Sequence, residues 1–406
     1  MKILFLTDNF PPEVNAPATR TYEHGKEWVE AGAEVTIITC NPNFPQGKIY
    51  EGYQNKLKQV EYIDGMKVIR VWSYVSANKG FVKRTLDYLS FSVMASLYGL
   101  FEKADVIIAT SPQFFTTWSG WLLSKLKRKP WIFELRDLWP ESIASVGALK
   151  EESRAYRTLE KIELGLYRSA NVVIPNTPAF KTNLIRRGIP KEKMHVIPNG
   201  ANLELFDSNR KNPELKKELG IKEDFVIGYI GTHGLAHSLD FVVESIGGAK
   251  FENIHFLFIG DGARKAHVQQ TAKSLGLKNV TFLDPIPKEE IPDYLALIDA
   301  SLVPLNKSDT FKTVIPSKIF EACAMGKPII LGVEGQAKEI IDEFGAGVCF
   351  EPENPVEFME AINKIASDKV LYKTLSQNAL NLAQAYERKL LAKEMLEVIE
   401  SQVLSR

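Results

Sequence analysis

At 406 residues the chain is long enough for two domains with full-sized cores, and 45% hydrophobic with 25% charged residues is an ordinary globular balance. Fifty Lys and Arg residues match fifty Asp and Glu residues, so no net charge draws the whole chain to nucleic acid.

Cys40, Cys323 and Cys349 lack C-x-x-C spacing and read as small buried hydrophobes in a reducing compartment. No apolar run approaches the ~18–20 residues that span a bilayer. The chain enters a strand at once and carries Asp8, unlike a signal peptide, which sets a cytoplasmic expectation.

Residues 2–7 (KILFLT) predict a central parallel strand, followed by a loop of turn formers through Pro11-Pro12 to Pro17. A helix is expected from Thr19 to Ala31 and a strand over 34–39, which puts the loop at the carboxyl end of the first strand, where open α/β sheets bind ligands. Asn15 lies in this loop, and Arg20 opens the helix, as a crevice residue or as a surface charge. Residues 41–59 read as a long irregular connection, and 66–72 as a strand. The stretch 79–88 has a basic front and suits an interfacial helix on an anionic membrane; 91–101 reads as a buried helix.

After strands at 105–109 and 131–133 come Glu134, Arg136, Asp137 and Glu141. So many charges at a buried strand end point to a job in chemistry; an ion pair closing a loop is the alternative. Strands at 171–174 and 194–197 follow, and the domain boundary is placed near 200–213.

The second half restarts the α/β rhythm. Residues 225–230 run into Gly231-Thr232-His233-Gly234 and His237, and 255–259 into Gly260-Asp261-Gly262. Residues 279–283 lead to Ile286, and 300–303 to Lys307. Four consecutive strand ends thus carry turn chemistry at one rim, where a nucleotide would lie. Neither G-x-G-x-x-G nor G-K-[ST] is present, which argues against a nicotinamide dinucleotide and a P-loop. No His, Cys and Asp set has metal-ligand spacing.

Residues 316–328 (PSKIFEACAMGKP) read as an anion-binding helix start: Ser317 as N-cap, free first-turn amides, Lys318 for charge, and Gly326 and Pro328 as the stop. Glu321, one residue too late for a capping box, is placed to accept from ribose hydroxyls. Residues 370–406 are expected to be helical.

Taken in order and spacing, Pro11-Pro12, residues 196–200 (VIPNG) with Phe206, Gly231, Gly260-Asp261-Gly262, and Glu321 before Gly326-Lys327-Pro328 resemble the nucleotide-sugar glycosyltransferases of family 4 over essentially the whole chain. Residues 11–20, 41–53 and 231–240 are similar to the bacterial O-antigen and capsule subgroup that includes N-acetyl-L-fucosamine transferases. The resemblance implies an α/β GT-B fold, two Rossmann-like doubly wound domains facing a central cleft. It implies an acceptor domain over 1–200, a donor domain over 201–375, and helices over 376–406 crossing back.

It further implies transfer of a hexosyl, N-acetylhexosaminyl or deoxyamino sugar from a UDP-linked donor to a polyprenyl-pyrophosphate glycan at the inner membrane face, without metal or cofactor. The implied donor residues are Gly231, Thr232, His233, His237, Gly260, Asp261, Gly262, Ile286, Lys307, Thr313, Ser317, Lys318 and Glu321. Asn15 and Arg20 are expected at the acceptor, and Lys318, Glu134, Arg136 and Asp137 in catalysis. Thr313 stands where the family has a first glutamate, Thr232 and His237 where it has phosphate-binding Arg and Lys, and Arg136 where it has a histidine. Lys318, with Lys307 or Lys312, is expected to supply the missing charge. A nucleotide-sugar epimerase and a non-catalytic sugar-nucleotide-binding subunit are the alternatives.

Overall fold

The computed structural model describes residues 1–404 except 45, 76–80, 112–113, 146–148, 151, 250 and 252. They divide into two compact units, Met1–Pro198 with Lys389–Arg406, and Asn199–Arg388.

The first unit is built on β1 (Lys2–Leu6), β2 (Glu34–Cys40), β3 (Lys58–Ile63), β4 (Met66–Val71), β5 (Val106–Thr110), β6 (Trp131–Leu135) and β7 (Val172–Pro175), in the order β3-β4-β2-β1-β5-β6-β7. All neighbours are parallel except β3, which pairs antiparallel with β4. The runs KILFL, VIIAT and WIFEL are apolar enough to be covered on both faces, and β1, β5 and β6 sit in mid-sheet. β3 falls within and beyond the expected irregular connection: its KQVEYI alternates exposed and half-buried residues, as an edge strand does.

Helix Ala16–Glu30 starts three residues earlier than expected because Asn15 caps it, accepting from the Ala18 amide at 2.9 Å. The helix Arg388–Leu404 completes this core: Leu391, Met395, Leu396 and Ile399 pack with Ile3, Phe5 and Trp28, and Trp28 Nε1 donates to Ala392 O at 2.8 Å.

The helix Phe81–Gly99 departs from the expected split. Phe91 and Ala95 are buried, but Leu86, Leu89, Val93 and Leu97 form an exposed apolar stripe at helical spacing, continued by Leu100 and Phe101. Lys79 and Gly80, the front of the expected basic segment, lie outside the described residues. Ser92 and Ser119 hydroxyls, 2.8 Å apart, join this helix to Phe114–Lys127, which exposes Trp121, Leu122 and Leu126. Among the described residues no helix is long and apolar enough to cross a membrane.

The second unit is built on β8 (Phe225–Ile230), β9 (Ile254–Ile259), β10 (Val280–Leu283), β11 (Ala300–Pro304), β12 (Ile329–Gly332) and β13 (Gly347–Cys349), all parallel, in the order β10-β9-β8-β11-β12-β13. The strand order reverses between β8 and β11. This switch point opens a crevice at the carboxyl ends of the strands, and the helix Lys318–Ala324 follows β11 there.

Candidate functional site

Two glycine turns meet at the ends of β8 and β9. Gly231, at φ 149°, donates its amide to Ile259 O at 2.9 Å, and the His233 amide donates to Asp261 O at 2.8 Å. Gly260, at φ 139°, lies so close that a Cβ there would collide with Gly231 O. Side chains are therefore excluded where the two backbones nest. Gly262 donates its amide to Asp261 Oδ1 at 2.8 Å.

Into this corner comes Lys318. A Cβ on Gly231 would stand 2.6 Å from Lys318 Nζ, so the missing side chain makes the amine's place. Nζ lies 3.9 Å from the centroid of the Tyr229 ring. The Lys318 residue is partly exposed, but Nζ itself is buried and has no hydrogen-bond partner among the described residues. Burial pushes its pKa down to about 7, and Glu321 opposes the shift. The ring face cannot restore the lost hydration: a cation–π contact returns about 0.5–2 kcal/mol, whereas desolvating an ion costs several.

Tyr229 is 1% exposed and donates its hydroxyl to Thr232 O. The His233 and His237 rings meet it edge-on at 5.6 and 6.3 Å. Burial, with Lys318 adding to it, pushes both imidazoles down to about 4, so they are neutral at pH 7.

The helix start differs from its expected form. Ser317 holds the N-cap position but makes no side-chain cap; its Oγ instead accepts from Asn199 Nδ2 at 3.3 Å. The Ile319 and Phe320 amides bond back to Pro316 O and Ser317 O, so the expected free first-turn amides are in part already used. Lys307 is paired with Glu351, and Lys312 with Asp309 at 2.8 Å and Glu334 at 3.5 Å, all of them exposed surface pairs. Thr313 Oγ1 donates to Thr310 O at 2.9 Å, and Ile286 packs on the core. Glu321 accepts from Lys288 Nζ at 3.4 Å.

Three residues escaped the sequence reading. Tyr229 looks like any strand aromatic. Lys288 lies in a polar loop. Lys265, three residues past Gly262, is 8% exposed and donates to Leu283 O at 3.1 Å and Asp284 Oδ1 at 2.6 Å.

In the first unit Arg20 is neither in a crevice nor on the surface. It is 2% exposed and donates to Glu134 Oε1 at 2.8 Å, to Ile197 O at 2.9 Å and to Pro198 O. Burial alone would raise the Glu134 carboxyl, but the Arg20 and Arg136 guanidiniums outweigh it and the net direction is down. The pair clamps the end of β6 to the start of helix Ala16–Glu30 and to the chain at Ile197 and Pro198. Asn15, engaged in its cap and with Asn9 Oδ1 at 2.7 Å, is likewise held by the fold.

Arg136 and Asp137 stay half-buried, with the Arg136 amide donating to Ser111 Oγ at 2.8 Å. Burial pushes Asp137 up to about 6. Their loop is tied down by buried Glu163, which accepts from the Trp139 amide at 3.0 Å, Tyr167 Oη at 2.6 Å and Arg187 at 2.6 Å. Among the described residues no group of three His, Cys, Asp or Glu side chains could hold a metal ion.

Two doubly wound units of this topology, one with a glycine-walled basic corner at its switch point, define the GT-B class of glycosyltransferase folds. The sequence model for a glycosyl transferase 4-like domain matches residues 15–200, and that for glycosyl transferases group 1 matches 211–382. The chain belongs to the family 4 glycosyltransferases. It is 26% identical over 370 residues, 87% of this chain and 89% of the other, to WcaI of Escherichia coli (strain K12), a protein named for colanic acid biosynthesis. The sucrose-phosphate synthase of Thermosynechococcus elongatus is similar in fold, with TM-score 0.81 and 18% identity over 100% of both chains. Anabaena HepE, in complex with UDP and glucose, superposes at TM-score 0.72 with 20% identity, covering 99% of this chain and 100% of that one.

Proposed function

We propose that the protein transfers a sugar from a nucleoside diphosphate donor, UDP-linked, to a lipid-linked glycan in the synthesis of a bacterial surface polysaccharide such as O-antigen or capsule. The observation that carries the reading is the buried Lys318 amine, without a hydrogen-bond partner among the described residues, against Gly231 and Tyr229. In its charged form such a group is stable there only with an anion beside it. The polysaccharide context rests on the likeness to WcaI, and the donor class on the UDP held by HepE.

In this reading the diphosphate lies on Lys318 and the Gly231 and Gly260 turns, and Glu321 accepts from the ribose. The bond from the anomeric carbon to the diphosphate oxygen breaks with its electron pair going to the diphosphate. The bond to the acceptor oxygen forms, and the acceptor proton passes to Asp137, a carboxyl of fitting strength at neutral pH. Lys318, as the ammonium, offsets the charge that grows on the leaving group, with no metal ion assigned. The apolar stripe on Phe81–Gly99, with exposed Lys83 and Arg84, is the contact with the inner membrane face, and the protein is cytoplasmic and peripheral.

Lys318→Ala should lower turnover by about 10²–10³-fold, the usual loss when one group is removed from developing charge, with the melting point retained. Asp137→Asn should lower kcat with donor affinity unchanged. Near-normal turnover in a folded Lys318→Ala protein, measured by release of nucleoside diphosphate, sinks the reading.

A further inference from the structure

The basic side chains around the nucleotide rim differ in one respect. Lys265 has Asp284, Lys288 has Glu321, Lys307 has Glu351, Lys312 has Asp309, and Arg264 has Asp240. Among the described residues Lys318 has no such bonded anion. Its Nζ is enclosed by an aromatic face on one side and a glycine backbone on the other, and neither accepts a hydrogen bond from it.

We propose that Tyr229 is a positioning residue for the leaving group: its ring, with the Gly231 backbone, keeps the Lys318 amine out of water, so that in mildly alkaline solution the amine waits largely uncharged and takes up about one proton from solvent when the diphosphate arrives. This rests on the reading of Lys318 as a diphosphate ligand and adds the state in which it waits. The arriving anion supplies the counter-charge the site lacks, so the ammonium is stable only in the complex.

The surroundings support this balance. Glu321, on the same helix, favours the ammonium but is itself engaged by Lys288. Across from it, His237 and His233 bring no negative charge, and both are neutral above about pH 4. Lys265 and Asp261 act on His233 with opposite signs. The burial that places the free amine near neutrality therefore has no strong opponent.

The sign of the linkage follows. Above about pH 7 the free protein has lost the proton that the complex holds, so affinity falls as pH rises.

The test is calorimetric titration of the whole protein at pH 8 with a panel of nucleoside diphosphates, in Tris and in HEPES, whose ionisation enthalpies differ. At that pH the free diphosphate is already ionised, so protons taken up go to the protein. The expected result is uptake of about one proton per diphosphate, with Kd weakening about tenfold from pH 8 to 9. Tyr229→Phe keeps the ring and should keep the uptake. Tyr229→Ala opens the ring's place to water and should abolish it, as should Lys318→Met. Binding by the native protein without proton uptake overturns the proposal; so does undiminished uptake in Tyr229→Ala, or lost uptake in Tyr229→Phe. Should Tyr229→Ala fail to fold, the native and Tyr229→Phe titrations decide. Failure of every nucleoside diphosphate to bind overturns the donor reading itself.

Discussion

Gly231 joins a backbone constraint to a spatial one. At φ 149° an L side chain is strained, and a methyl group would stand 2.6 Å from Lys318 Nζ. Gly231→Ala should therefore weaken nucleoside diphosphate binding by on the order of tenfold or more, with a smaller loss of stability, about 1–3 kcal/mol. A thermal-shift titration reads both; an unchanged midpoint of binding would show that the amine does not need this space. The glycines and Lys318 were legible because turn chemistry and charge show in the chain. Tyr229 was hidden because a strand aromatic is usually core, and Tyr229 is core as well. The Arg20–Glu134 clamp joins residues 114 positions apart, and no local pattern distinguishes a buried partner from a charge facing a ligand.

Among elements, the helix Phe81–Gly99 makes the most testable demand. Its stripe of Leu86, Leu89, Val93 and Leu97 stays in water while Phe91 and Ala95 hold the helix to the unit. Replacing Leu89, Val93 and Leu97 by Ser should lower flotation with anionic liposomes by on the order of tenfold or more, since each buried methylene is worth about 0.8 kcal/mol. Neutralising Lys83 and Arg84 should instead make the remaining binding less sensitive to salt. Unchanged flotation in the Ser variant would remove this face from the membrane. The apolar run over 91–101 shows in the sequence but not which of its residues the core covers, because an exposed stripe and a buried one have the same period. β3 was missed for the opposite reason, since an edge strand needs little apolar surface. Asp64-Gly65, at φ 44° and 77°, was the signal that could have revealed it, a two-residue turn between β3 and β4.

At the scale of the molecule, two largely parallel sheets were legible as a repeated rhythm of strand, turn and helix. The destination of the last helix came only with the family resemblance, which implies a crossing back over 376–406, and Lys389–Arg406 does join the first unit; amphipathicity alone does not say which sheet a helix will cover. Leu391, Met395, Leu396 and Ile399 each contribute about 1.5–3 kcal/mol of burial to the first unit. Together this is comparable with the about 5–15 kcal/mol that holds an ordinary domain. Ending the chain after Arg388 should then unfold Met1–Pro198 and leave the nucleoside diphosphate-induced thermal shift of Asn199–Arg388 in place. A first unit that melts as before would contradict this. The same helix also bears on biosynthesis. On the ribosome, residues 1–198 emerge with a hole where Trp28 awaits Ala392, and at about 5–20 residues per second the missing piece arrives roughly 10–40 s later. The nascent amino-terminal half must stay soluble through that interval, which makes it the portion of the protein most in need of a chaperone.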